Sequence, residues 1–121
     1  MPQCFETDFD YEIINDGTDL LIDIEFLTPN QSPDFTLRVD GVEKIQNGNK
    51  SVYNYVMKTD KELNGKVVKL FGNIADTSNN TNEITLTVVV KGGVAPEQKD
   101  FKTTVSAGET VEIDIIIRPF A

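Results

Sequence analysis

The sequence predicts an all-β domain, an antiparallel sandwich of about seven to nine strands. Three observations carry that expectation. Apolar residues alternate with polar ones over short runs, glycine-containing turn signals recur between the runs at nearly regular spacing, and only Thr59 to Leu63 has the makings of a helical turn.

The first run is Phe5 to Ile13. Phe5, Thr7, Phe9, Tyr11 and Ile13 fall on one face of an extended chain, and Glu6, Asp8, Asp10 and Glu12 fall on the other. This is the pattern of a half-buried strand, and residues 1–4 before it read as a tail to a single domain over residues 5–121. Asn15-Asp16-Gly17-Thr18 offers residues that tolerate positive φ, after which Leu20, Ile22, Ile24 and Phe26 resume the alternation. Thr28 to Pro33 reads as a loop. Further strands are expected at Phe35 to Val39, Ser51 to Met57, Val67 to Ile74, Glu83 to Lys91, Phe101 to Val105 and Thr110 to Arg118. Asp40-Gly41, Asn47-Gly48, Asn64-Gly65, Gly92-Gly93 and Ala107-Gly108 punctuate them. Val88-Val89-Val90 and Ile115-Ile116-Ile117 are apolar on both faces, as expected for strands central in a sheet or covered at one end by a neighbour.

The first two runs suggest a hairpin whose register follows from the pattern. With Asp16-Gly17 at the turn, Ile13 faces Leu20, Tyr11 faces Ile22, Phe9 faces Ile24 and Thr7 faces Phe26, so every apolar partner shares one face. A shift of one residue would turn one strand's buried set to solvent. The same register sets Asp10 opposite Asp23 and Asp8 opposite Glu25, with Glu6 and Glu12 completing an acidic face. Like charges directly opposite cost roughly 0.2–1 kcal/mol per pair. Such a face asks for a reason: plain solvation of an edge, a cationic partner, or calcium.

Composition narrows the chemistry. The chain has 121 residues, a formal net charge of -9 and no histidine. Its average field repels phosphate backbones and anionic membranes, which argues against nucleic acid. Without histidine there is no Ser-His-Asp or Cys-His pair and no imidazole acid or base, so the expectation is a non-enzyme. A single cysteine, Cys4, excludes an internal disulfide and a conventional zinc site. Cys4 stands where a mature bacterial lipoprotein carries its lipid, but Gln3 is not the small residue that precedes such a cysteine, which argues against a lipid anchor. Its alternative use is to crosslink subunits. No run approaches the ~20 apolar residues of a transmembrane helix.

For calcium, the candidate ligands are Asp8, Asp10, Asp23 and Glu25, because a cross-strand pair such as Asp10 and Asp23 can approach a shared ion at about 2.3–2.6 Å. No loop has the Asp-x-Asp-x-Asp-Gly layout, so no cofactor is the leading expectation. Tyr53 and Tyr55, two apart on a predicted strand, share a face and offer a stacking surface for a sugar or a protein, though a core or sheet-edge role is the leading expectation for them. Candidate interaction residues are Glu6, Glu12, Tyr53, Tyr55 and Cys4.

The alternating strands, the glycine turns and the closing Ser106-Ala107-Gly108-Glu109-Thr110-Val111-Glu112-Ile113 pattern resemble the immunoglobulin-like sandwich modules of bacterial surface proteins and phage virions. A jelly roll is the related arrangement. The resemblance is one of architecture and transfers no functional residue. It implies a structural or interaction module of a virion, a filament or an extracellular surface, acting through protein partners or self-association. A calcium-dependent or carbohydrate-binding sandwich is the alternative.

Overall fold

In the computed structural model, which describes residues 3–80 and 82–121, the alternating runs become two sheets facing each other across a shared core. The described strands are β1 (Gln3–Glu12), β2 (Asp19–Glu25), β3 (Gln31–Val39), β4 (Val42–Gly48), β5 (Val52–Thr59), β6 (Val68–Asp76), β7 (Asn82–Lys91), β8 (Glu97–Val105) and β9 (Thr110–Phe120). One sheet has the order β1-β9-β6-β3-β4 and the other β5-β2-β7-β8. The protein is thus an all-β, two-sheet sandwich, with the two apolar triplets on β7 and β9, each flanked by strands on both sides. Every pairing is antiparallel except that of β1 with β9, which is parallel.

The core is built by parity. Leu20, Ile22 and Ile24 from β2 and Leu86, Val88 and Val90 from β7 meet Phe35, Leu37, Leu70, Ile113, Ile115 and Ile117 from the other sheet, all at most 3% exposed. Burying a side chain of this size contributes roughly 1.5–3 kcal/mol. The face assigned to Leu20, Ile22 and Ile24 holds, because a half-buried strand has to turn its apolar set toward the one available interior.

The predicted hairpin does not form. β1 lies beside β9, with Asp8 opposite Ile116 and Asp10 opposite Arg118. β2 lies in the other sheet between β5 and β7, with Asp23 opposite Val89 and Glu25 opposite Thr87. The expected Asp10–Asp23 and Asp8–Glu25 pairs are therefore split between two layers. Alternation says which face of a strand is buried, and both layers bury their apolar faces in the same core. It does not say which strand lies alongside.

The chain instead crosses between sheets after Ile13, and the crossing is held by a carboxylate from the helix. Thr59 caps the single turn α1 (Asp60–Leu63), its Oγ1 accepting the Glu62 amide at 3.4 Å while also donating to the Glu62 carboxylate at 3.0 Å. That sets Asp60 in the interior, 0% exposed, where its carboxylate accepts the amides of Asn15 at 2.7 Å, Asp16 at 3.1 Å and Gly17 at 2.8 Å.

Other departures are local. β1 starts at Gln3, so Gln3 and Cys4 of the expected tail pair with Val111 and Glu112, while residues 1–2 lie outside the described ones. β3 begins at Gln31, inside the expected loop, with Pro33 opposite Ile74. β4 was not expected: its sequence alternates poorly because it is an edge strand in which Ile45 is the one apolar side chain packed against the core. Asp40-Gly41 is its hairpin turn, with φ of 49° and 77°, the positive pair that a two-residue turn between twisted strands needs. Among the described residues no helix is long and apolar enough to cross a membrane.

Candidate interaction surface

The outer face of the β1–β9 edge gathers most of the residues the sequence singles out. Cys4, Glu6, Asp8, Asp10 and Glu12 are there because Phe5 and Tyr11 take the inward positions between them. Their partners on β9 are Glu112, Asp114, Ile116, Arg118 and Phe120 in that order. Arg118 neutralises part of the stripe by gripping Asp8 with two hydrogen bonds of 2.8 and 3.0 Å. Those bonds hold the Asp8 carboxyl below the usual range. Glu6, by contrast, stands opposite Asp114, whose Oδ1 is buried without a hydrogen-bond partner among the described residues. Where β1 ends, Asp10, Tyr11, Glu12, Val94, Glu97 and Phe120 line a groove of about 310 Å³. The Tyr11 hydroxyl accepts the Gly93 amide there at 2.9 Å, and burial pushes its phenol up.

The remaining candidates are elsewhere and already engaged. Asp23 accepts the Asn54 amide at 2.7 Å and pairs with Lys91 at 3.0 Å. Glu25 accepts the Tyr53 hydroxyl at 2.6 Å, which holds the Tyr53 proton beyond the usual phenol range. The four proposed calcium ligands thus sit two on each sheet, and the cross-strand pairs on which that reading stood do not exist.

Tyr53 and Tyr55 do not share a face. Between the Ile22–Tyr55 and Ile24–Val52 pairs, two residues of β5 oppose Asp23 alone, and Asn54 takes a φ of 53°. This bulge reverses the alternation. Tyr53 is left 57% exposed while Tyr55 turns inward onto the core and donates to the Lys44 carbonyl at 3.4 Å. Sequence reasoning also missed Arg118 as the cation beside Asp8 and Asp60 as the anchor of the inter-sheet crossing. Arg118 closes an apolar run of β9 and Asp60 sits among other charged residues between Lys58 and Glu62, so neither stands out locally, and their roles come from residues about 110 and 43–45 positions away.

Cys4 is exposed, but partial burial and the nearby carboxylates of Glu6, Asp114 and Glu112 push its thiol up. The thiolate is the reactive form, so Cys4 is expected to alkylate several-fold more slowly at neutral pH than a cysteine in an unfolded control. Following iodoacetamide capture by mass spectrometry in native and urea-unfolded protein measures this. Equal rates would mean that the carboxylates exert no hold on the thiol.

The fold therefore defines a β-sandwich whose acidic stripe lies on an edge. Comparison with protein-family models, curated proteins and solved structures finds no match for the chain.

Proposed function

We propose that the protein is a non-enzymatic structural module, of the kind that builds a virion, a filament or a cell surface, and that it acts through contacts with other proteins and with copies of itself. The observation that carries this reading is its supply of edges. β1, β4, β5 and β8 each border a sheet and are seven to ten residues long. An edge of that length offers unpaired backbone groups to a neighbouring chain. The exposed apolar side chains on or beside these edges, Val42, Tyr53, Val56 and Val94, are each more than half exposed and add contact area. The lack of histidine supports a non-catalytic role, since the commonest acid, base and nucleophile partner is missing from the chain.

The acidic stripe bears on which edge is used. Two copies meeting through β1 would set Glu6, Asp8, Asp10 and Glu12 against their own kind, so self-association is expected through β4, β5 or β8. Sedimentation velocity from micromolar to millimolar protein tests this, with a concentration-dependent shift to larger species as the expected result. A monomer at every concentration that also captures no protein from its source would overturn the proposal.

A further inference from the structure

The parallel pairing of β1 with β9 fixes how the chain meets a pulling force. Its ten pairs run from Gln3 with Val111 to Glu12 with Phe120. β1 therefore begins at one end of the sandwich and β9 finishes at the other. A pull applied before Gln3 and after Phe120 drags two adjacent strands in opposite directions along their own axes. The hydrogen bonds of the ladder run between the strands, across that pull, so they are sheared as a set. All must lengthen together before any is released. Strands pulled apart from a shared end lose their bonds one after another and yield at lower force.

From this geometry we infer that the protein is a tension-bearing link, with the β1–β9 ladder as its clamp. The inference rests on the structural-module reading and adds to it that neighbours hold the chain before Gln3 and after Phe120, since contacts through β4, β5 or β8 alone do not load the clamp. Side chains and flanking strands strengthen it in the direction the pull requires. Asp8 lies opposite Ile116 but is bonded to Arg118, two residues further along β9, so sliding β1 toward its own start lengthens that bridge at once. β9 is braced on its other flank by eight pairs with β6, and its end is tied down by the Gly65 amide on the Pro119 carbonyl at 2.9 Å. β1 is tied across the seam to the second sheet. Phe5 stacks on Phe101 with ring centres 5.4 Å apart, and Thr103 donates to the Gln3 side chain at 2.6 Å. Slippage of β1 along β9 is thus the step that force has to drive.

The test is single-molecule pulling of one variant, Cys4→Ser with Ile14→Cys, in two geometries. Ile14 is 55% exposed in the loop just after β1, so the change leaves the core intact, and a urea midpoint matching the parent confirms folding. Handles on extensions at the two chain ends shear the ladder, whereas handles at position 14 and the C-terminal extension load both strands from the same end. The expected result is a rupture force at least about twofold higher in the first geometry at equal loading rate, since forced rupture reports the barrier along the pulled direction. Equal forces, or a lower force between the chain ends, would overturn the inference. Sedimentation reports separately on the module reading, so the failure of one is distinguishable from failure of the other.

Discussion

Replacing Gly72 by alanine is expected to destabilise the fold by roughly 3 kcal/mol or more, the sum of a backbone strained by about 1–3 kcal/mol and an overpacked contact of similar size. Gly72 sits in the middle of β6 with β3 on one side and β9 on the other, opposite Phe35 and Ile113. Its φ of 145° lies where a side chain is rarely tolerated, and a Cβ built there would stand 2.1 Å from the Asp34 carbonyl oxygen and 2.8 Å from the Phe35 Cα. Both obstacles are backbone, so no rotamer change relieves them. Retreat is blocked because Phe35, 1% exposed, is among the largest side chains in the core. Urea unfolding with the slope held equal to the parent's measures the loss. A midpoint unchanged within error would show that β3 and β6 separate at this point without cost.

The second large effect is expected at Asp60. Asn keeps the size of the side chain but replaces one accepting oxygen with an amide that donates, so at least one of the amides of Asn15, Asp16 and Gly17 is left facing a donor in the interior. The melting temperature of the Asp60→Asn variant is expected to fall by roughly 5–10 °C at neutral pH. The pH dependence supplies a sharper check. Burial pushes the Asp60 carboxyl up, but the amides of Gly17, Asp16, Asn15 and Lys61 outweigh it and leave the group below the ordinary carboxylate range. A carboxyl lowered in the folded state stabilises fully above its unfolded value, about 3.9, and that contribution is lost as pH falls through the folded value. The gap between parent and Asp60→Asn should therefore be widest from pH 5 to 7 and narrow below about pH 4. Melting curves across that range decide it, and a gap that stays constant to the lowest pH would remove the ionised carboxylate from the account.

The strand pattern was legible in the sequence wherever one face of a strand meets the core. Phe5, Tyr11, Leu20, Ile22 and Ile24 all point where alternation puts them. Neighbour relations were not legible. The register built on Asp16-Gly17 satisfied every apolar pair, yet an inter-sheet crossing satisfies them equally, since both sheets contribute to one interior. The crossing is held by a carboxylate at position 60, whose bonds to residues 15–17 leave no local trace. The Tyr53–Tyr55 surface failed for a related reason. An Asn at positive φ inserts a residue into β5, and from there alternation counts to the wrong face. β4 was missed because an edge strand with little to bury has little reason to alternate. The acidic stripe itself was read correctly as an outward face, and its partners on β9 could come only from the fold.

Pairing the first described strand with the last also bears on how the chain reaches this structure. As the polypeptide leaves the ribosome, β1 is made before the other described strands, yet its partner β9 is synthesised after all of them. Contacts between such distant residues are slow to form. Until β9 arrives, Phe5, Phe9 and Tyr11 belong to a strand with no sheet to join, an invitation to aggregate. Glu6, Asp8, Asp10 and Glu12, interleaved with those aromatics, break up the apolar run and keep waiting chains apart by repulsion. The charges on the mature edge are, in this light, what lets the strand survive the interval between its synthesis and its docking.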